Sequence, residues 1–281
     1  MIKGKPNLFS IATKELAQDG ILTWLLQWAS PTVAEHNKNL HQCGFALLRF
    51  FMDGVDNFDS SLITSVWAER QWEKIDICVE IECSNGRKTL LIIEDKTFAV
   101  EHGDQLVRYK QTAQKWCDEN GYELLCAYVK IGGETKRVLD EVRSKGFRVF
   151  DRPGLIGCLT PFRRKNDSAI DEFLDYLEFV EEEHQSFLQL PLSNWTASSW
   201  KGFYQFVESV IEVNMWHFVD NPSGGFWNLS LNWEYWINFP VYIQIEQGKL
   251  CYKVAIEEGE SDLGRGVVDI NKVQDFLLAT L

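Results

Sequence analysis

The sequence lacks the long apolar segment that a membrane span requires. No run of about 18 apolar residues occurs anywhere in the 281 positions. The beginning, MIKGKPNLFSIATKEL, also lacks the apolar core of a signal peptide. The hydrophobic fraction is nevertheless 45%, which is ample for a buried core. We therefore expect a globular protein of one large or two modest domains, located in the cytoplasm and without a membrane partner.

Several motifs that carry well-known chemistry are also missing. The seven cysteines are scattered and include no Cys-x-x-Cys pair, so neither a zinc site nor a disulfide framework is indicated. We expect most of them to be buried thiols. The chain has no Gly-x-x-x-x-Gly-Lys-Ser/Thr loop, no Gly-x-Gly-x-x-Gly fingerprint and no Gly-x-Ser-x-Gly elbow. The sequence therefore does not indicate a P-loop, dinucleotide-binding or serine-hydrolase site of these types.

Basic residues are scarce in the second part of the chain. The formal net charge is -13. Residues 1–165 hold 23 Lys+Arg and 22 Asp+Glu, a balance of +1, whereas residues 166–281 hold 5 and 19, a balance of -14. The first part can therefore tolerate a phosphate backbone, and the second should repel one unless it faces away.

The strongest chemical signal lies in residues 88–111. A near-continuous apolar run, Leu90–Ile93, is typical of a buried strand. It ends abruptly in Glu94-Asp95-Lys96, and two acids and a lysine are costly to bury unless something pairs with them. A divalent metal ion is a natural partner for such a group. A helix is expected to begin near Gly103.

The preceding strand, Lys74–Cys83, alternates apolar and polar residues, and the turn Ser84-Asn85-Gly86 leads back into the next strand. A two-residue turn would place Asp76 opposite Asp95. A three-residue turn with Gly86 in the left-handed region moves the register by one. We prefer this second register because it pairs Asp76 with Glu94, Ile77 with Ile93, Val79 with Leu91, and Glu82 with Lys88. It also gathers Asp76, Glu94 and Lys96 on one face.

These residues suit the hydrolysis of phosphodiesters, which needs a positioned water, a metal ion and stabilisation of developing charge. Mg²⁺ takes few carboxylates and keeps several waters. Asp76 and Glu94 can supply the carboxylates, with the Asp95 carbonyl as a third oxygen, and Mn²⁺ is an alternative ion. Lys96 can orient the water or stabilise charge on the phosphate. The alternative is a structural ion pair at a strand end, without catalysis.

The order of elements resembles the core of the PD-(D/E)XK nuclease superfamily. Glu94-Asp95-Lys96, Glu101-His102 and Asp104-Gln105-Leu106-x-Arg108-Tyr109 are similar to the signature of a branch of bacterial and phage members. The resemblance covers roughly residues 10–185 and implies a restriction-endonuclease-like α/β fold, a mixed central sheet flanked by helices. It implies a Mg²⁺-dependent nuclease in which Asp76 and Glu94 bind the metal and Lys96 is catalytic. Glu15, from Glu15-Leu16-x-x-Asp19, would be an accessory acid.

The helix after Lys96 adds candidate substrate contacts. Gln105 and Tyr109 are one turn apart on it. The resemblance implies that this pair contacts phosphate or substrate beside the site. Arg108 lies near the same face and offers positive charge to a nucleic-acid backbone. The alternative is a polar surface stripe. His102 is a weaker candidate, and capping or packing is its expected role.

The other elements are predicted from apolar spacing and turn residues. In the first part we expect one helix from a Ser10 cap to about Ala29 and a second over about residues 33–51. We expect a nuclease domain at residues 1–188 and a smaller, acidic, Trp-rich α+β domain at residues 189–281. In the latter, helices are predicted at about residues 200–215 and 269–278, with strands between them. The tryptophans indicate an aromatic core, with a base-stacking platform as the alternative.

The predicted function is a metal-dependent nuclease that cleaves DNA, of defence, repair or mobile-element type. The alternative is a catalytically silent nuclease fold that binds nucleic acid or protein. In that alternative the acidic region 166–281 would dock a protein partner. A further possibility is that this region restrains the nuclease until a partner arrives, which only the charge distribution suggests.

Overall fold

A computed structural model describes residues 2, 4–12, 14–56, 58–98, 103–164, 168–222, 224–236 and 239–254. The chain divides into two compact units. One consists of Met1–Glu134 with Val138–Glu182, and the other of Thr135–Arg137 with Glu183–Leu281. The functional domains proposed from the sequence, 1–188 and 189–281, stay a prediction. None of the described helices has the length and apolarity needed to span a bilayer.

The described residues form the following helices and strands. The helices are α1 (Leu8–Ile11), α2 (Lys14–Trp28), α3 (Lys38–Met52), α4 (Gln105–Asn120), α5 (Lys136–Ser144), α6 (Arg152–Leu159), α7 (Ser168–Gln185) and α8 (Ala197–Val210). The strands are β1 (Ile63–Trp72), β2 (Ile75–Cys83), β3 (Lys88–Lys96), β4 (Glu123–Lys130), β5 (Arg148–Asp151), β6 (Met215–Val219), β7 (Phe226–Trp236), β8 (Phe239–Glu246) and β9 (Lys249–Val254).

The first unit is built on a five-stranded mixed sheet of order β1-β2-β3-β4-β5. Strands β1 to β3 are antiparallel, and β3 to β5 are parallel. Because side chains alternate along a strand, β2 and β3 bury both faces. Val79 and Leu91 belong to a core with α2, α3, α6 and α7, whereas Cys78 and Ile92 belong to a core with α4 and α5. The predicted α/β fold class, a mixed sheet flanked by helices with a separate smaller sheet, is confirmed.

The β2–β3 hairpin has the register that the sequence favoured. Ile77 pairs with Ile93, Val79 with Leu91, and Glu82 with Lys88. Gly86 has φ 86°, and its N–H donates to the Cys83 carbonyl at 3.0 Å. A three-residue loop closed by a left-handed glycine therefore sets the pairing, as a bulged hairpin requires. This register directs Asp76 and Glu94 to the same face of the sheet.

The N-terminal helices begin and end differently from the prediction. Asn7, not Ser10, caps the first helix, because its side chain accepts from the Ser10 N–H at 3.2 Å. The helix then stops at Ile11 and α2 begins at Lys14, so the predicted single helix from Ser10 to about Ala29 is wrong only at its start. The helix expected from about residue 33 begins later, because Asn37 accepts from the backbone N–H groups of the first turn of α3. Pro31–Val33 form a separate 3₁₀ turn.

Helix α3 crosses α2 at very short range. A Cβ atom added to Gly44 would collide with the Leu25 carbonyl oxygen, so only glycine permits this approach. Leu25 and Leu47 are fully buried in the same core. This packing fixes α2, which carries the acidic residues expected to lie beside the site, against the sheet.

The second unit is a four-stranded antiparallel sheet of order β6-β7-β8-β9 with α8 on one face. Trp200 and Tyr204 of α8 pack on Trp216 and Leu229, and all four are buried. The Tyr204 hydroxyl donates to main-chain carbonyls of β7 and β8, at 3.1 Å and 3.0 Å. The expectation of an aromatic core is confirmed for these tryptophans.

The predicted helix over residues 200–215 is wrong at both ends. Thr196 caps α8 with a reciprocal Thr196–Ser199 hydrogen-bond pair, and the helix ends at Val210. Met215 already belongs to β6, which the sequence analysis missed because apolar residues continue through the break. The predicted helix at 269–278 lies outside the described residues, as do Glu101 and His102.

Candidate active site

Three of the predicted catalytic residues lie together at the end of β3. The Lys96 ammonium contacts Glu94 Oε1 at 2.7 Å. Asp76 Oδ2 accepts from the Asp95 backbone N–H at 3.0 Å, which holds the end of β2 beside this pair. Asp76 is half-buried, whereas Glu94 is 1% exposed. The structure therefore brings two carboxyl groups and one ammonium together on the face of the sheet that carries α4.

Glu94 is a strongly perturbed acid. Burial and then the negative charge of Asp76 raise the pKa of Glu94 to about 8, although the hydrogen bond from Lys96 opposes the shift. Its Oε2 atom has no hydrogen-bond donor among the described residues. A buried carboxyl oxygen without a donor, next to a second carboxyl group, is a site that a cation would stabilise.

Lys96 remains charged in this environment. Burial alone would lower the pKa of Lys96. The hydrogen bond to Glu94 and the negative charges of Glu94, Asp76 and Glu15 outweigh burial, and the pKa is raised. At neutral pH the site therefore presents a fixed ammonium beside two acidic groups.

The predicted substrate residues separate into two groups. Gln105, at the start of α4, donates through Nε2 to Glu94 Oε1 at 2.9 Å and to the Tyr109 hydroxyl at 2.9 Å. Gln105 is therefore joined directly to the site, and Tyr109 is joined to it through Gln105. Arg108 is exposed and makes no contact with the site carboxylates in the part of the chain that the structure describes.

The Asp95 side chain faces the other way, toward α2. Its carboxyl accepts from Gln18 Nε2 at 2.5 Å and also contacts the carboxyl of Asp19, which pairs with Arg70 at 3.5 Å. Burial, followed by the charge of Asp19, raises the pKa of Asp95 well above its usual range. Burial and the charge of Asp76 raise the pKa of Asp19 to about 6. The Asp95 side chain thus links β3 to α2, and its main-chain carbonyl is left as a potential metal ligand.

Lys130 is a site neighbour that the sequence analysis missed. It is the parallel-strand partner of Lys96, is 4% exposed, and pairs with Glu134 at 3.5 Å. Burial lowers the pKa of Lys130, while the charges of Glu134 and Glu15 oppose that shift. The negative charge of Glu15, in the first turn of α2, therefore acts on both Lys96 and Lys130. The position of Lys130 at the end of a predicted strand could have indicated it, because the carboxyl ends of adjacent parallel strands meet at one edge of a sheet.

The donor set fits a hard cation that keeps part of its water. No three His, Cys, Asp or Glu side chains form a preorganised ligand cluster among the described residues. Asp76 and Glu94 provide two carboxyl groups, and Glu94 Oε2 is buried without a hydrogen-bond donor among the described residues. Mg²⁺ uses one or two carboxylates and several waters, so these residues fit it without a third acid.

The fold and the site together define a restriction-endonuclease-like α/β unit, with an acid on one hairpin strand and acid-x-lysine on the next. The model of the PD-(D/E)XK nuclease superfamily matches residues 7–141. This region, which holds every site residue described above, matches that superfamily, and the match supports a nuclease-type function in general terms. Assignment to a particular branch stays a prediction. Comparisons with curated proteins and with solved structures gave no match.

Proposed function

We propose that this protein is a metal-dependent nuclease that hydrolyses phosphodiester bonds of DNA. The observation that carries the proposal is the contact of Lys96 with Glu94, next to Asp76, inside the region that matches a nuclease superfamily. The choice of DNA rests on the resemblance alone, so RNA is tested beside it. The rival, a silent fold used for binding, would not require a largely enclosed ammonium held against a buried glutamate beside a second acid.

In this proposal Asp76 and Glu94 would hold Mg²⁺, or Mn²⁺, and the Asp95 carbonyl could be a third ligand. When bound, the ion would supply Lewis-acid polarisation of the phosphate. Lys96 stabilises negative charge that develops on the phosphate and holds the attacking water in place. Gln105 orients Glu94 through the hydrogen bond to Oε1, and Tyr109 orients Gln105 in turn.

The remaining residues act around this centre. Glu15 is the accessory acid, placed where its charge acts on Lys96. Arg108, exposed on α4, and Tyr109 would contact the phosphate backbone of the substrate. Docking of a protein partner on the acidic C-terminal region stays a prediction from charge.

The direct test is cleavage by the full chain. Wild type is incubated with linear, circular and single-stranded DNA and with RNA, in Mg²⁺, in Mn²⁺ and in a chelator. We expect DNA products only when a divalent metal is present. Cleavage of RNA alone would support the assignment as a nuclease and overturn the choice of DNA as the substrate. If the folded protein saturated with metal cuts no substrate, the silent binding fold is correct.

Metal affinity should increase with pH, because the metal must displace a proton from Glu94. The pKa of Glu94 is raised from 4.5 to about 8, so the folded metal-free protein holds this proton at neutral pH. Linkage then predicts roughly 25-fold tighter Mn²⁺ binding at about pH 8.5 than at about pH 6.5. Calorimetric titration across this range, in buffers of different ionisation enthalpy, measures both the affinity and the released proton.

The same linkage applies to stability. A carboxyl with a raised pKa stabilises the folded state at low pH, and that contribution is lost as the pH rises from 4.5 towards about 8. The increase in melting temperature caused by Mn²⁺ should therefore be larger at alkaline pH. Glu94→Gln should remove both the metal effect and its pH dependence. Equal affinity at the two pH values would contradict the assignment of Glu94 as a ligand.

A further inference from the structure

The second unit contains a cavity on the face of its sheet opposite α8. Trp216, Leu229 and Ile245 point towards the helix and form its core. Residues one position away along the strands point to the other face. There the structure has a cavity of about 170 Å³, lined among others by His217, Asn228, Gln244, Trp233 and Tyr242. Nothing in the proposed cleavage reaction uses these side chains.

Polar groups in this cavity are buried and incompletely bonded. Asn228 is 5% exposed and Gln244 is 6% exposed. Asn228 Oδ1 and His217 Nδ1 have no hydrogen-bond partner within the described chain. Burial lowers the pKa of His217, so the imidazole is neutral and offers one donor and one acceptor. Unpaired buried polar atoms are costly, and they indicate that the cavity accepts a molecule with complementary donors and acceptors.

An irregularity in β7 supplies the aromatic wall of this cavity. The pairing of β7 with β8 shifts between Leu231 and Glu234, and Asn232 has φ 49°. The extra residue turns Trp233 from the α8 side to the cavity side, where it stacks on Tyr242 with ring centroids 4.3 Å apart and planes 13° apart. Asparagine tolerates the left-handed backbone better than most residues, and such bulges commonly serve to redirect a side chain.

The charges around the cavity disfavour an anionic group inside it. Lys253 also lines it, but its ammonium is paired with Glu246 at 2.5 Å. Residues 166–281 carry 19 acidic and 5 basic side chains, so a phosphate has no free counter-charge there. The volume is also smaller than the roughly 300–1,000 Å³ of sites for drug-sized ligands. The ligand is therefore small, uncharged and flat.

We propose that this cavity binds a nucleobase, with Asn228 and Gln244 bonding to its edge and the Trp233–Tyr242 stack covering one side. Carboxamides match base edges because each offers a donor and an acceptor in one plane. Aromatic stacking is tolerant of base identity. The bound nucleobase can belong to a free nucleoside or to an unstacked nucleotide of single-stranded DNA. The site is independent of the metal centre in the first unit.

The test uses the full chain in a chelator, so that no cleavage can occur. The probes are the four deoxynucleosides and a single-stranded oligodeoxynucleotide of mixed sequence, followed by calorimetry and tryptophan fluorescence. We expect saturable binding of at least one nucleoside at or below about 1 mM. Competition by the oligonucleotide would identify a base within a strand as a source, and its absence would identify the free nucleoside.

Asn228→Leu and Gln244→Leu should each weaken nucleoside binding by about tenfold or more. Tyr252→Leu, at a residue 75% exposed and outside the cavity lining, should leave binding unchanged. Asn228→Leu should melt at the wild-type temperature or above, since it removes an unpaired buried oxygen. No binding of any probe by folded wild type, or equal binding by both cavity variants, would overturn the proposal. Metal-dependent cleavage by Asn228→Leu should equal wild type, so the two functions can fail separately.

Discussion

Replacing Asp76 with asparagine should abolish both metal binding and metal-dependent cleavage, while the fold remains intact. Asp76 is one of the two carboxylates proposed to hold the metal, and an amide oxygen is a much poorer ligand for Mg²⁺. We expect the cleavage rate to fall on the order of 10³-fold. The fold should survive because the asparagine oxygen can still accept from the Asp95 N–H, and residue 76 is only half-buried.

The same substitution should make Glu94 easier to ionise. The negative charge of Asp76 is the second-largest cause of the raised pKa of Glu94, after burial. Removing that charge lowers the pKa of Glu94, so the metal-free variant should be more stable than wild type at alkaline pH. Greater stability without metal, combined with loss of the Mn²⁺-induced increase in melting temperature, is not expected of a merely structural ion pair.

The matched control for Asp76→Asn is Glu82→Gln, at the other end of the same strand. Glu82 is half-buried and also pairs with a lysine of β3, Lys88, at 2.7 Å. Its loss should leave Mn²⁺ binding and cleavage unchanged. Retention of metal-dependent cleavage by Asp76→Asn within about tenfold of wild type would remove Asp76 from the site.

The centre of the site could be predicted because its geometry follows from local rules. The side-chain period of two and a left-handed Gly86 determine which residues face each other across the hairpin. Pairing Ile77 with Ile93 and Glu82 with Lys88 was more favourable than the alternative register. Once that pairing is fixed, Asp76 and Glu94 must share a face. No knowledge of the tertiary structure was needed.

The surroundings of the site could not be predicted in the same way, because they depend on packing between distant segments. Gln18 and Asp95 are 77 positions apart in the chain. Their contact requires α2 to cross the sheet at the end of β3, which the Gly44 contact with α3 makes possible. Arg70 reaches Asp19 only once β1 lies beside β2. Acids and amides spaced along a sequence do not indicate such a network until the layers are assembled.

The second unit shows a different limit of sequence analysis. Its tryptophans were predicted to form one aromatic core, and Trp200 and Trp216 do so. Trp233 is directed to the opposite face by the bulge at Asn232. Hydrophobic alternation assigns a face correctly only while the pairing is regular, so a bulge reverses the assignment without leaving a clear signal in the sequence.

Replacing Lys96 with methionine should separate metal binding from cleavage, which Asp76→Asn should not do. Methionine keeps the length of the apolar stem but removes the ammonium that contacts Glu94 at 2.7 Å. The hydrogen bond from Lys96 opposes the rise in the Glu94 pKa, so that pKa should move higher in the variant. At alkaline pH, where Glu94 is ionised, Mn²⁺ should bind at least as tightly as in wild type, because a competing cation has been removed.

Cleavage by Lys96→Met should nevertheless fall by about 10²- to 10³-fold, because charge developing on the phosphate has lost its stabilising ammonium. Single-turnover cleavage with saturating metal, combined with Mn²⁺ titration near pH 9, measures the two effects separately. Lys88→Met is the matched control, since Lys88 lies on the same strand and also pairs with a glutamate at 2.7 Å, but at the far end. It should cleave at the wild-type rate. Parallel loss of metal binding and cleavage in Lys96→Met would show that the ammonium organises the carboxylates instead of acting on the substrate.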